Sequence, residues 1–472
     1  MISRRQLIAA AGTGAFILPV TMHAQGSSST KRHIAQAAHL TIEVPEHWSH
    51  TPPLPGGPQS IGADDGFFVA LPITSPLNAT AFAAAFDLAV EKVTETQISW
   101  HEMDAVRLEY ADNNDEVTIG AIVVQNPRPI LTMQGQADYL LLAGDTDHFD
   151  RILDTIEFGL ENVAPSDIAK SIVEVVHTHS YFRDEVDWEN IYQQAEEIES
   201  AAEIDSFLKF RVLRELRPTG DNHSFVTNLD GVVNVATPTI DGQEPNYPSG
   251  EIIDGYGYIS FPSTNLTTSD YPAEYARLAA EFRNQFLEDG VCGWIIDLRN
   301  MRGGSVSPPL TALYPFLPDG KVAGFVDAYS NERWIEKSGE SISPLAYVQE
   351  IDDVPWPHEL ENPDLPVAVL TGGSTASAGE FVQLALMSRP NLQTFGLQSA
   401  GYTTGNIGIT LFHDAHFALA STAELDVYGN VYTGKIEPDV EDLDIGRGQS
   451  VLPRNLTTAL DWLDAQCVSS LA

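Results

Sequence analysis

Residues 374–380 read STASAGE, and they lie between two apolar runs, VAVLTGG before them and FVQLALM after them. The first run is short, rich in β-branched residues and closed by two glycines, which is typical of a buried strand. The second run has the pattern of a buried helix. The stretch is therefore predicted to be a strand–turn–helix unit, and strands that alternate with helices indicate an α/β fold with a mostly parallel sheet.

Ser377 stands at the turn of this unit and has two interpretations. Ser377 and Glu380 have the spacing of a capping box, in which the serine side chain caps the helix. A serine at a helix N-terminus also suits a nucleophile, because the helix dipole and the Ala378 amide favour negative charge there. A nucleophilic Ser377 is predicted to lie inside the first helical turn, with Ser374 or Thr375 as the cap.

Composition limits the partners of the chain. Its 472 residues exceed what one hydrophobic core usually serves, so two or three domains are expected. The formal net charge of −41 repels phosphate backbones and anionic lipid surfaces, so a nucleic-acid partner is excluded.

The first 24 residues are predicted to be an export signal of the twin-arginine type. Arg4 and Arg5 precede an apolar stretch at 7–20, and small residues follow near Ala24. An ordinary secretory signal with a chance arginine pair is the alternative. No later apolar run reaches the roughly 18 residues of a membrane helix. The mature protein is expected to be periplasmic or secreted, without a membrane span.

The pattern along the rest of the chain predicts four further segments. These are a linker at 25–37, a small α+β domain at 38–160, a helical segment at 163–228 and an α/β core at 229–472.

The chain has two cysteines, Cys292 and Cys467. Export permits a disulfide bond. Cys292, however, stands in the apolar run VCGWIIDL, so it is predicted to be a small buried hydrophobic residue. No metal site and no cofactor are predicted.

Several stretches carry groups suited to the hydrolysis of an amide, which needs a nucleophile, a base and donors for the oxyanion. Besides STASAGE they are TGDNHSF at 219–225, IIDLRNMRGGS at 295–305, GYTTGN at 401–406 and IEPD at 436–439. Gly303 and Gly304 let the backbone approach a substrate carbonyl closely.

In this order and spacing the stretches resemble the C-terminal-processing peptidase and tricorn-core family of serine peptidases, the tail-specific proteases. The resemblance runs from about residue 167 to the end. It implies a fold like the ClpP–crotonase ββα spiral, Ser377 as nucleophile, and an oxyanion held by the amide of Ala378 and that of Gly303 or Gly304.

The chain also departs from the family pattern. The lysine that many members carry 25 residues after the serine is Tyr402 here. The tricorn-like branch uses a histidine, which corresponds to His223, but Asn222 replaces the serine that precedes it in tricorn. A PDZ domain does not fit, because only 32 positions separate His223 from Gly255.

His223 is therefore predicted to be the general base, because imidazole suits proton transfer near neutral pH. Asn222 or Ser224 is expected to orient its ring, and this choice stays open. The rival bases are Lys435, His413 and His416.

The sequence also indicates roles for two further pairs of polar residues. Tyr402 and Asn406 either line a substrate cleft or pack in a hairpin. Asp297 and Arg299 end a buried strand and are predicted to form a structural ion pair.

The sequence thus predicts an exported serine peptidase that acts on peptides or proteins. The alternative is a non-catalytic protein of the same fold that binds a peptide or a small ligand. The sequence leaves the oligomeric state open.

Overall fold

The computed structural model describes the chain in fifteen pieces: 29–35, 38, 40–51, 60–63, 66–73, 75–85, 88–112, 116–132, 135–228, 246–264, 271–338, 341–343, 364–410, 415–446 and 456–470. The predicted export signal at 1–24 lies outside these residues. The described residues form two compact units. The first contains those up to 228 together with 406–410 and 415–421, and the second contains the others.

The first unit begins with a β-rich part. Its strands are β1 (Thr30–Ala35), β2 (Leu40–Pro45), β3 (Ser49–Thr51), β4 (Ser60–Ala63), β5 (Gly66–Ile73), β6 (Val93–Trp100), β7 (Met103–Ala111), β8 (Val117–Thr132), β9 (Gly135–Asp145) and β10 (Glu157–Phe158). Two helices accompany them, α1 (Ala79–Ala85) and α2 (Phe149–Leu153). The strands form an antiparallel sheet in the order β3-β4-β5-β9-β8-β7-β6 and a smaller sheet in the order β1-β2-β10.

Period-two alternation explains how the larger sheet packs on both faces. In β9, Leu140 and Leu142 belong to one apolar cluster with Trp48, whereas Leu141 and Ala143 belong to another with Phe82. Successive side chains of a strand point to opposite faces, so one strand serves two layers.

The predicted linker at 25–37 is wrong over the residues of β1. This strand pairs antiparallel with β2 from Thr30↔Pro45 to Ala35↔Leu40. Ile34 is buried, and Arg32 makes an ion pair with Glu157 at 2.6 Å. Backbone pairing and the buried side chain of Ile34 hold this stretch, although its polar composition alone is typical of a linker.

The rest of the first unit is mostly helical. It contains α3 (Pro165–His179), α4 (Trp188–Glu196), α5 (Ala201–Phe207), a π-helical turn (Leu208–Val212), α6 (Leu213–Leu216) and the strand β11 (Phe225–Asn228). One apolar cluster joins these helices to Ile409, Phe417 and Leu419. The chain therefore reaches TGDNHSF directly from a packed helical layer.

The second unit is α/β. Its strands are β12 (Ser249–Ile253), β13 (Tyr256–Ser260), β14 (Trp294–Asp297), β15 (Gly320–Asp327), β16 (Glu332–Ser338), β17 (Ser341–Ser343), β18 (Val367–Thr371), β19 (Leu392–Gly396), β20 (Thr404–Thr410), β21 (Ala415–Asp426), β22 (Val431–Tyr432) and β23 (Val440–Glu441). Of these, β20 from Asn406 onward and β21 up to Ser421 are assigned to the first unit. The helices are α7 (Tyr271–Glu288), α8 (Ser307–Leu313), α9 (Ala378–Leu386), α10 (Leu443–Gly446) and α11 (Thr457–Ser470).

A central sheet in the order β12-β13-β14-β18-β19-β23 organises this unit. All its pairs are parallel except β12 with β13. Asp297 is paired with Leu370, so β14 and β18 end side by side. The loops that follow these strands, which carry the glycines and STASAGE, therefore leave the sheet at the same edge.

A disulfide bond joins Cys292 to Cys467 in the second unit, with 6.1 Å between the two Cα atoms. The prediction that Cys292 is only a buried hydrophobic residue is therefore wrong. Helix α11 packs its Leu463 and Cys467 against the sheet residues Ile295 and Ala368, which brings the second cysteine to the first. Among the helices of the described chain, none is long and apolar enough to cross a membrane.

Replacing Cys467 with serine is expected to lower the free energy of unfolding by about 2–4 kcal/mol, because the bond closes a loop of 175 residues in the unfolded chain. Denaturant unfolding of the oxidised protein measures the change. Cys292→Ser should give the same loss, and reduced wild-type protein should match both variants. Equal stability of the oxidised wild type and the serine variants would contradict the expectation.

Candidate active site

Ser377 lies between β18 and α9 with φ 53° and ψ −119°. A positive φ is uncommon for a residue other than glycine, and such strain concentrates at functional turns. The prediction that Ser377 lies within the first helical turn, capped by Ser374 or Thr375, is wrong. Ser377 is itself the N-cap residue, and the Thr375 hydroxyl donates to the Leu298 carbonyl oxygen at 3.0 Å.

The backbone of Ser377 is held by Glu380. The Ser377 N–H donates to Glu380 Oε2 at 2.8 Å, and the Glu380 N–H donates to the Ser377 carbonyl oxygen at 2.8 Å. The capping position and the proposed nucleophile are thus the same residue. The sequence pattern made these roles look exclusive, but these two hydrogen bonds use the backbone N–H and carbonyl groups of Ser377.

The Glu380 side chain also binds the loop that follows β19. It accepts hydrogen bonds from the N–H groups of Gly401 at 2.7 Å and Tyr402 at 2.8 Å, and from the hydroxyl of Ser399. The residue is completely buried. Burial raises the pKa of the Glu380 carboxyl, and these hydrogen bonds act in the opposite direction.

The glycine loop after β14 lies directly against Ser377. A Cβ atom on Gly303 would stand 3.1 Å from Ser377 Cβ and 3.4 Å from Ser377 Oγ, and Gly303 has φ +125°. The Ala376 N–H donates to the Met301 carbonyl oxygen at 3.0 Å. A Cβ on Gly379 would come within 2.3 Å of that same oxygen. The two loops therefore approach each other as closely as glycine allows.

Three amide donors are candidates for an oxyanion site here. The Gly303 carbonyl oxygen accepts the Thr264 N–H at 3.1 Å. In a trans peptide the N–H points opposite to the carbonyl, so the Gly304 N–H points away from Thr264. Within the described residues, the N–H groups of Gly303, Gly304 and Ala378 have no hydrogen-bond acceptor.

The place of the family lysine is filled by Tyr402, whose side chain is 39% exposed. The neighbouring Gly401 has φ +90°, and a Cβ there would lie 2.9 Å from Lys435 Cγ. Lys435 is itself exposed. The loop is joined to IEPD because the Ser399 N–H donates to the Ile436 carbonyl oxygen at 3.0 Å.

His223 lies in the first unit, in a turn built around the buried side chain of Asp221. Asp221 accepts the N–H groups of His223 at 3.1 Å and Ser224 at 2.8 Å, and it accepts the Ser224 hydroxyl at 2.5 Å. The Ala420 N–H donates to Ser224 Oγ at 2.8 Å. Ser224 therefore holds the turn that presents His223, together with an aspartate that the sequence analysis did not single out.

Asn406 contacts the same turn, since its Nδ2 donates to the His223 carbonyl oxygen at 3.2 Å. Asn222 is exposed beside it. Of the rival bases, His413 lies outside the described residues, and His416 belongs to strand β21.

The prediction of a structural ion pair at the end of β14 is confirmed. Arg299 Nη2 lies 2.6 Å from Asp297 Oδ2, and both side chains are buried. The Tyr258 hydroxyl donates to the same oxygen at 2.6 Å. Burial is the largest cause that raises the pKa of Tyr258, and the negative charge of Asp297 is the second. This cluster anchors the start of the glycine loop.

The structure thus brings the predicted residues together in two groups. In the second unit, Gly303 lies against Ser377, which precedes Ala378, and Tyr402 is joined to this turn through Glu380. Gly304 follows Gly303 and lies against Thr264. In the first unit, His223 and Ser224 share a turn with Asn222, and Asn406 binds that turn. Sequence reasoning missed Asp221, although an aspartate two and three residues before polar N–H groups is a known turn signal.

The chain is similar to known proteins in sequence and in fold. Residues 255–442 match the family model of peptidase family S41. A nisin-resistance protein of Lactococcus lactis subsp. lactis is 26% identical over 289 residues, which cover 60% of this chain and 82% of that protein. The solved structure of a lipoprotein from Streptococcus agalactiae has a TM-score of 0.51 at 23% identity and covers 64% of this chain and 97% of its own. At that identity the likeness concerns the fold alone.

The matched segment contains the glycine loop, the Ser377 turn, the loop bound by Glu380 and the IEPD stretch. Over residues 255–442, the chain is therefore similar to peptidase family S41.

Proposed function

We propose that this protein is a serine peptidase that hydrolyses peptide bonds with Ser377 as nucleophile. The observation that carries the proposal is the contact between two loops. Ser377 stands on a strained turn, and Gly303 lies against its side chain. Because residues 255–442 match a family of peptidases, the proposed substrates are peptides or proteins.

The oxyanion is assigned to amides that converge on this turn. The N–H of Ala378 is the first of helix α9, where the helix dipole favours negative charge. The N–H groups of the glycine loop have no acceptor in the described part of the chain. Such preorganised donors act without reorganisation when the tetrahedral intermediate forms.

His223 is assigned as the general base. It takes the proton of the Ser377 hydroxyl as Oγ attacks the carbonyl carbon, and it returns this proton to the leaving amine. A water molecule then attacks the acyl-enzyme. His223 takes a proton from this water and returns it to Ser377 Oγ as the acid product leaves. The support is chemical: the place of the family lysine is a tyrosine, and imidazole titrates near neutral pH.

The place of action is assigned to an exported location, periplasmic or extracellular. The disulfide bond between Cys292 and Cys467 supports this assignment, since such bonds persist in oxidising compartments. One relative is named for resistance to nisin, so nisin is a compound to test beside a general peptide library.

Ser377→Ala is expected to reduce peptide hydrolysis by about 10³-fold or more, because the covalent step is lost. His223→Gln is expected to cause a similar loss. Hydrolysis of a peptide library, read by mass spectrometry, measures both. Ser374→Ala is the matched control, since it removes a hydroxyl three residues earlier in the same turn and should leave activity near the wild-type level.

Labelling with a fluorophosphonate probe separates the peptidase from the alternative binding protein. A peptidase should be labelled at Ser377, and the label should disappear in Ser377→Ala. An unlabelled Ser377 together with tight binding of a peptide would favour the non-catalytic protein. Full activity of Ser377→Ala would refute the assignment of the nucleophile.

Gly303→Ala is expected to lower kcat by about 10²-fold, because the new Cβ would strain a φ of +125° and displace the Ser377 side chain that it meets at 3.1 Å. Steady-state kinetics on the best library peptide measures the change. Gly373→Ala is the control, since its Cβ meets nothing within 4 Å. Equal kcat values for the two variants would show that the glycine loop does not act on the nucleophile.

A further inference from the structure

A second buried carboxyl group lies close to the Ser377 turn. Glu424 of strand β21 is 2% exposed, and in the described part of the chain its Oε2 has no hydrogen-bond partner. Glutamate is almost never fully buried without a partner. The position therefore needs a physical explanation.

The strand pairing shows which way Glu424 faces. It stands opposite Phe325 of β15, and directly opposite residues of an antiparallel pair share one face of the sheet. The Phe325 ring stacks on Phe381 of helix α9, with 4.5 Å between ring centroids and 8° between planes. Glu424 thus lies on the face that α9 covers, on the side of Glu380.

The two carboxyl groups differ in their hydrogen bonds. Glu380 accepts four, from the amides of Ser377, Gly401 and Tyr402 and from the hydroxyl of Ser399. Hydrogen bonds of this kind stabilise a carboxylate, whereas an unbonded buried oxygen favours the neutral acid. Two carboxylates that share one buried space cannot both ionise without a large repulsion.

The charged groups around Glu424 are consistent with a neutral Glu424 beside a charged Glu380. Burial raises the pKa of Glu424 well above its usual range, and the nearby charge of Glu380 raises it further. From β22, Tyr432 stands opposite Glu424, and its hydroxyl donates to Asp426 at 3.0 Å. Burial and Asp426 raise the pKa of Tyr432 to about 12, so it stays neutral below pH 9. Phe325, from β15, carries no charge.

We propose that Glu424 is a positioning residue: its carboxyl carries a proton in the folded protein, and this neutral form allows Glu380 to keep its charge and its bonds to the Ser377 turn. Loss of the proton places a second negative charge beside Glu380 in the core. Glu380 then gives up bonds to the Ser377 and Tyr402 amides, and the nucleophile loses its fixed geometry. The part of this inference that concerns Ser377 chemistry rests on the proposed peptidase function.

A protonated Glu424 makes the stability of the fold depend on pH in a defined direction. A carboxyl whose pKa is raised in the folded state stabilises the fold fully at low pH, where both states are protonated. That stability is lost as pH rises from the ordinary carboxyl range towards the raised folded value. Replacing Glu424 with a neutral side chain should remove this loss.

The first experiment measures the thermal midpoint from pH 5 to pH 9 for wild type and Glu424→Gln. The wild-type midpoint should fall with pH relative to the variant by about 2–4 °C or more. Glu336→Gln, which neutralises an exposed strand residue of the same unit, should follow the wild type. Parallel profiles for wild type and Glu424→Gln would overturn the proposal.

The second experiment measures the rate of fluorophosphonate labelling at Ser377 over the same range. The wild-type rate should fall at the alkaline end, and the Glu424→Gln rate should not. Glu424→Leu is a second neutral variant with no polar group to satisfy, and it should also lack the alkaline fall. An alkaline fall shared by all three proteins would overturn the positioning role, and so would failure of both neutral variants to fold.

The two measurements also separate this proposal from the proposed function. If no protein is labelled at any pH, Ser377 is not a nucleophile and the proposed function fails. The thermal profiles still decide whether Glu424 is protonated. If wild type is labelled and the thermal profiles are parallel, the peptidase stands and the Glu424 proposal fails.

Discussion

The buried carboxyl group of Glu380 is the interaction on which the candidate site depends. It binds the amide of Ser377 on one side and the amides of Gly401 and Tyr402 on the other. A carboxylate is expensive to bury, and it stays ionised only where several donors converge on it. The backbone of two separate loops is thus arranged around one side chain, so neither loop can shift without leaving a buried charge unsatisfied.

The parallel sheet supplies the frame for this arrangement. β14 and β18 end in register, so the loops that follow them share one edge of the sheet. The Met301 carbonyl oxygen accepts the Ala376 N–H, and only a glycine fits at position 379 against the same oxygen. Gly303 lies against the Ser377 side chain with similarly little space for a Cβ atom. The glycines of the motif are therefore required by close packing of two backbones.

Sequence patterns predicted much of this frame, since hydrophobic runs and glycine positions report burial and turns. The strand–turn–helix unit at STASAGE and the ion pair of Asp297 with Arg299 followed from such patterns. Patterns of this kind do not reveal which hydrogen bonds form. The Ser377 turn and the turn around Asp221 also depend on distant partners, since the Met301 carbonyl oxygen accepts the Ala376 N–H and Ser224 Oγ accepts the Ala420 N–H.

The remaining differences have the same cause. The polar residues of β1 predict a linker, yet its backbone forms hydrogen bonds with the partner strand β2. The apolar neighbours of Cys292 predict a core residue, and only the position of helix α11 brings Cys467 to it. Glu380 reads as one half of a capping box, which accounts for one of its four bonds. Local spacing constrains a residue's nearest neighbours, whereas long-range partners are set by the complete fold.

Several unfavourable features of the second unit lie around the Ser377 turn. Ser377 has a strained backbone, Glu380 is a buried carboxyl and Glu424 is a second one nearby. A sequence selected for stability alone would replace the acids with apolar residues of similar volume, since buried charged groups are often neutral or unfavourable for stability. Proteins keep such departures where function requires them. Their convergence on the residue that we propose as the nucleophile is therefore a physical argument for chemistry at Ser377, separate from the sequence match.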